Sequence, residues 1–306
     1  MRVFAVLLLI ILLTTGACKQ DHNAHIQPSK RPTPVVYVTN YPLYYFTNRI
    51  AGQTIDLHFP AYKHPDPSNY TPPTDTITTM QQADAIIING AGFEPWLIDA
   101  DLAEHLIANT SQNIIDKLLG NGTIFTHSHD NQTEHAHTET ASILWLDLDM
   151  ANQQALAITN TLKALLPKAA TQFEANYNNL SKELMHLHQA FKSTTQNNQK
   201  PVIFTHPIYQ YFQRAYKLKG ANLHWEPTDS LTPAKLTELK RLNTKIQTDI
   251  IIWETTPNPQ SVTTLQQLGF RNTTINPCTA TPTQGDFLSV MQRNLNSLQG
   301  ALNQDQ

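Results

Sequence analysis

The chain has 306 residues, enough for one large or two ordinary domains, and 40% of them are hydrophobic, which permits a proper core. Lys and Arg number 21 against 24 Asp and Glu, so the net charge of −3 offers no basic footprint and nucleic acid is excluded as a partner. Gly is scarce and Pro common, at 10 and 19, which favours fixed turns over flexible hinges.

Met1 and Arg2 precede an apolar run over 3–13, followed by Thr14, Thr15, Gly16, Ala17 and Cys18. A charged start, a short apolar stretch and small residues before a cut site predict a signal peptide over 1–17. The run is shorter than the roughly 20 residues that span a bilayer. Cys18 after Gly-Ala resembles the lipobox of bacterial lipoproteins, which implies lipid attachment at Cys18. The other cysteine, Cys278, then has no partner in the chain, so no disulfide framework is expected. Residues 18–34 are polar and proline-bearing and read as a lipid-anchored tether.

The β-branched run 35–39 predicts the first strand, 42–50 a helix and 55–60 a second strand. A proline-rich loop over 61–75, with His64 and Asp66, is of the kind that carries function. Residues 77–83 read as helical. The continuous apolar run 85–89 reads as a strand buried on both faces.

Residues 126–139 hold four of the thirteen histidines as two His-x-His pairs, His127/His129 and His135/His137, beside Asp130, Glu134 and Glu139. No large apolar side chain interrupts the tract, so it belongs on the surface. Residues two apart in an extended segment point the same way, so each pair can close on one ion. Neutral imidazole is a common metal ligand, and a tetrahedral nitrogen and carboxylate shell suits Zn²⁺. Cu²⁺ or Ni²⁺ would use the same atoms.

A helix is expected from about 150 to 166, and a second opens at Pro167. In the latter, Phe173, Tyr177, Leu180, Leu184, Leu187 and Phe191 form one apolar stripe, which predicts a rigid linking helix over 167–193, on the order of 39 Å long. His186 and His188 read as solvated residues of that helix. Beyond it, strands are expected at 201–205, 250–254 and 272–276, with a short strand or loop at 223–227. Helices are expected at 209–216, 232–242, 261–268 and 287–302. Asp286 is placed to cap the last of these. Trp225-Glu226 and Trp253-Glu254 each put a carboxylate after a strand, and both acids read first as buried structural groups, with metal ligation or the orienting of imidazoles as the other reading. Strands alternating with helices give an α/β fold of two lobes, each a parallel-type sheet flanked by helices, joined by the long helix. The division is an N-terminal lobe over 35–166, a linking helix over 167–193 and a C-terminal lobe over 194–306.

This order of features resembles the metal-specific solute-binding lipoproteins of bacterial ABC importers, the zinc and manganese uptake family. The matching pieces are Asn40-Tyr41-Pro42-Leu43, Pro67-Ser68-Asn69-Tyr70, Asn89-Gly90, Glu94-Pro95-Trp96-Leu97, the His-rich tract, Trp145-Leu146-Asp147, Phe204-Thr205-His206, Glu226-Pro227 and Met291 to Leu295. A branch of the family with a His-rich loop also shows the patterns found at 127–129, 134–137, 206–211, 224–227 and 285–287.

The resemblance implies an ion held between lobes, typically by three His and one acid. In this sequence those positions fall at Ser68, Ile143, His206 and Asn276, so only His206 is retained. The expected metal ligands are therefore His206, His64 from the loop before Ser68, and the tract histidines His127, His129, His135 and His137, with Cys278 a small buried residue before it is a ligand.

The function implied is an extracytoplasmic receptor, at the periplasm or cell surface, that delivers Zn²⁺ to a membrane permease and its ATPase. It is expected to be monomeric and not an enzyme; Mn²⁺, Cu²⁺ and Ni²⁺ stay open as cargo. Because ligands must be deprotonated, affinity should fall as pH drops through about 6.5. The competing readings are a metallochaperone or adhesion-type lipoprotein of the same fold, an organic-solute binder and a zinc hydrolase, the last lacking any His-Glu-x-x-His cluster.

Overall fold

A computed structural model describes residues 26–119, 125–127, 135–137, 141–196 and 198–303; within 125–127 and 135–137 only the backbone is described. The expected signal peptide, Cys18 and, within the His tract, 128–134 with His129 and 138–139 lie outside these residues.

The first sheet is built from β1 (Val35–Val38), β2 (Asp56–His58), β3 (Ala85–Ile88) and β4 (Ile107–Asn109), with helices α1 (Tyr41–Ala51) and α2 (Thr74–Met80) between its strands. All pairings are parallel, in the order β2-β1-β3-β4. β1 (Val-Val-Tyr-Val) and β3 (Ala-Ile-Ile-Ile) are apolar throughout because each is covered on both faces. Asn40 caps α1 by accepting from Leu43 N at 2.9 Å, and Gly52, at φ +59°, ends it by donating to Asn48 O.

A two-stranded antiparallel ribbon follows, β5 (Phe125–His127) with β6 (His135–His137). Next come α3 (Leu148–Leu165), a short 3-10 turn at Pro167–Ala169 and α4 (Ala170–Gln196), about 40 Å long.

The second sheet comprises β7 (Val202–Phe204), β8 (Gly220–Asn222), β9 (Ile250–Trp253) and β10 (Arg271–Thr274), again all parallel, in the order β10-β9-β7-β8. Its helices are α5 (Gln210–Tyr216), α6 (Pro233–Ile246), α7 (Pro259–Gln267) and α8 (Phe287–Asn303). Asp286 caps α8 by accepting from Ser289 N at 2.9 Å.

The two sheets repeat one topology. Numbered within its own half, each has the order 2-1-3-4, so β7 corresponds to β1, β8 to β2, β9 to β3 and β10 to β4. One contiguous core joins them: Val36 and Val38 of β1, Val202 and Phe204 of β7 and Ile252 of β9 cluster with the buried faces of α1, α3, α4 and α8. The stripe on α4 lies inside it, with Phe173, Leu180, Leu184, Leu187 and Phe191 all buried. Each such side chain contributes about 1.5–3 kcal/mol relative to exposure. The outer faces of the sheets have separate cores, one around Tyr37, Ile86 and Ile88, the other around Trp225, Trp253 and Ile251.

Several expectations change. His188 is buried, not solvated, because it stands one turn beyond Leu184 on the packed face of α4. Its Nδ1 lies 3.4 Å from Tyr216 Oη and 3.9 Å from Asp147 Oδ1. Of the two readings of 223–227, the loop holds, and the edge strand of the second sheet precedes it at Gly220–Asn222. Helix α2 begins at Thr74, before the predicted 77, and β4 was not anticipated. Within the expected tether, Ile26 is buried in the central core and Ser29 N donates to Leu165 O at 3.0 Å, so that part is docked on the fold. Among the described residues no helix is long and apolar enough to cross a membrane.

Candidate metal centre

In an open parallel sheet, ligands gather beyond the carboxyl ends of the strands, where the strand order reverses. In the second sheet that point lies between β7 and β9. Thr205, just past β7, is held on both sides: its N donates to Ile252 O at 2.9 Å and its O accepts from Trp225 N at 2.8 Å. The next residue, His206, leaves the sheet.

Glu254 follows β9 directly, and Glu226 lies beyond β8 on the other side of β7. Each acid is preceded by a tryptophan with essentially no exposure, Trp225 and Trp253, whose ring centroids are 6.3 Å apart. The indoles are fixed by polar tips, Trp225 Nε1 to Glu238 Oε2 at 3.2 Å and Trp253 Nε1 to Asn272 Oδ1 at 2.9 Å. Because successive side chains in extended backbone take opposite sides, anchoring each indole in the outer core directs the following carboxylate away from it. The two acid-bearing loops are joined by Asn258 N donating to Pro227 O at 2.7 Å. Glu226 N also donates to Asp229 Oδ2 at 2.7 Å.

His206 Nδ1 lies 3.7 Å from Glu254 Oε1 and 4.0 Å from Glu226 Oε1. One donor atom from each residue falls within 4.8 Å of the other two, the one such group able to hold a metal among the described residues. In a tetrahedral shell with bonds near 2.0 Å, donor atoms stand about 3.3 Å apart, so modest side-chain rotations close the site on an ion. Two carboxylates and a neutral imidazole balance a divalent charge. Side-chain exposure is 31% for His206, 18% for Glu254 and 52% for Glu226, so the acids are not the buried structural groups expected from sequence. The repeated Trp-Glu pair was the signal that marked them.

The other anticipated ligands fall elsewhere. His64 Nδ1 lies 2.6 Å from Asp66 O and 3.2 Å from Asp66 N, with the Tyr70 ring 5.5 Å away, and His64 is not part of the group. The Asp66 carboxylate accepts from Ser68 N, Ser68 Oγ and Asn69 Nδ2. In the ribbon, His127 pairs with His135 and Phe125 with His137. Ile143 is buried. Asn276 Oδ1 accepts from Cys278 N at 2.7 Å, while its own backbone is held by Asn294 of α8. Cys278 is a buried free thiol whose pKa burial pushes far up, and it is not part of the group.

The matching point of the first sheet, between β1 and β3, is filled from within. Buried Glu94 accepts from Thr39 Oγ1 at 2.6 Å and Asn89 N at 2.7 Å through Oε1, and from Gly90 N at 3.0 Å through Oε2. Gln154 Nε2 then bonds Asn89 Oδ1 at 2.9 Å and Thr110 Oγ1 at 3.0 Å. Burial pushes the Glu94 carboxyl up to about 7 against these hydrogen bonds, which lower it.

Comparison with known proteins agrees with this architecture. The zinc-binding lipoprotein AdcA of Streptococcus pneumoniae is 25% identical over 280 residues, covering 88% of this chain but 56% of AdcA, so the chain spans about half of that relative. The high-affinity zinc uptake system protein ZnuA of Bacillus subtilis is 22% identical over 301 residues, 95% of this chain and 94% of ZnuA. The crystal structure of the Zn(II)-bound ZnuA-like domain of S. pneumoniae AdcA superposes with a TM-score of 0.73 at 20% identity, over 89% of this chain and 99% of that one. The profile of the family described as zinc-uptake complex component A, periplasmic, matches residues 36–301, and the chain belongs to that family.

Proposed function

We propose that the chain is an extracytoplasmic receptor that captures Zn²⁺ and delivers it to the permease and ATPase of an ABC-type importer. The observation that supports this best is the convergence of His206, Glu226 and Glu254 at the open switch point of the second sheet, in a chain of the zinc-uptake family. The cargo undergoes no chemistry; the protein acts by supplying ligands and giving up the ion when a partner disturbs them. Lipid attachment at Cys18 would hold the receptor at the periplasmic or outer cell surface as a monomer. In this reading the histidines of 126–139 act as an outer capture segment. Their ribbon pairing, which sets His127 beside His135, supports such a role. Because imidazole binds metal only when neutral, acid releases the ion.

Zinc titration by calorimetry of the whole chain, beside a variant lacking 126–139, tests this. A tight site that survives the deletion is the expected result. Absence of tight zinc binding in the intact chain would overturn the receptor reading.

A further inference from the structure

We infer that the cargo ion is held by the second sheet alone: His206, Glu226 and Glu254, with water completing the shell, and no ligand from the first sheet. This rests on the receptor reading above and assigns its ligand set. Three independent observations support it.

First, the three donors come from the ends of three adjacent strands, β8, β7 and β9, in one sheet whose loops are hydrogen-bonded to each other. All three residues sit in loops that follow strands of the second sheet. Second, the first sheet's own switch point is filled by Glu94, and its donors are consumed there. Third, the first-sheet groups nearest in sequence to the expected ligand positions are committed: His64 and Ser68 to Asp66, and Ile143 to the core. Beside the site, the buried hydroxyl of Thr205 has no hydrogen-bond partner among the described residues, whereas its counterpart Thr39 bonds Glu94.

Such a site differs from an imidazole-rich one in chemistry as well as place. Its shell is mostly carboxylate and water oxygen, the donor type that suits harder divalent ions. The ion loads without the first sheet moving onto it. Exposed Glu226 is the ligand that exchanges with water, and the less exposed Glu254 is the anchor.

The test is Zn²⁺ affinity of the full chain by competition with a chelating dye, for the parent, His206→Ala, the double variant Glu226→Gln/Glu254→Gln, and His64→Ala. Small-angle scattering compares metal-free and loaded parent. Outer-sphere partners of a metal alone are worth 10–100-fold in affinity, so His206→Ala and the double variant should each weaken the tight site by at least about 100-fold. His64→Ala should stay within about threefold, and the radius of gyration should not change on loading. Circular dichroism melting of metal-free protein verifies that each variant is folded. If the folded double variant keeps parental affinity, or if His64→Ala weakens binding as much as His206→Ala, the one-sheet site is wrong while the receptor reading stands. If the parent itself binds no zinc, both fall.

Discussion

The two sheets share the order 2-1-3-4, yet their switch points are used in opposite ways. In the first, Thr39 and Asn40 follow β1; Thr39 bonds Glu94 and Asn40 caps α1. In the second, Thr205 and His206 follow β7, and α5 begins later, at Gln210, with no side-chain cap. One half spends these positions on closing its own polar groups, as buried polar groups require. In the other, His206 faces two acids across a gap, its Nδ1 3.7 Å from Glu254 Oε1 and 4.0 Å from Glu226 Oε1. A local structural rule is broken at the site proposed to hold the ion, which is where such departures are expected.

The largest effect should come from unplugging the first sheet. Glu94→Leu leaves the Thr39 hydroxyl and two backbone N–H groups buried without acceptors, and should lower unfolding free energy by about 3 kcal/mol or more, read from urea denaturation. Retained stability would mean that the two switch points are not so different.

The plug also sets a pH dependence. A carboxyl raised from 4.5 when unfolded to about 7 when folded binds its proton more tightly in the native state. Its contribution is fully present below 4.5, is lost as pH rises through about 7, and amounts to about 3 kcal/mol over that window. Relative to Glu94→Gln, the parent should lose that much between pH 4.5 and 7.5, whatever constant offset the amide introduces. Parallel profiles for the two proteins would show that Glu94 is ionised as easily as in water.

Smaller still is the cap. Asn40→Ala should cost about 1 kcal/mol in the same denaturation measurement. At the other switch point, Glu226→Gln/Glu254→Gln in metal-free protein should change stability by no more than about 0.5 kcal/mol. These acids are partly exposed and face each other as much as they face His206. A large loss there would make them structural after all, and the contrast between the sheets would collapse.

Much of this was legible in the sequence. The apolar runs of β1, β3, β7 and β9 can belong only to covered strands, and the spacing from Phe173 to Phe191 fixes a long packed helix. The short edge strands β4 and β8 were harder: Ile-Ala-Asn and Gly-Ala-Asn have neither length nor β-branched composition to distinguish them from loops. His206 was reached through family resemblance. Glu226 and Glu254 were noticed but read as structural, because a sequence does not say that β7 lies between β8 and β9. Their shared neighbourhood is a property of strand order. His188 was misplaced for a similar reason, since a helix stripe gives the centre of a buried face but not its width.

The central core has a consequence for handling the molecule. Its two sheets look like separable units, each with four strands and its own connecting helices, but they draw on one interior, with α4 through the middle. A fragment starting after α4 would leave Val202, Phe204 and Ile252 facing water. The second half cannot therefore be cut out to stand alone, and melting should run as a single event for both halves.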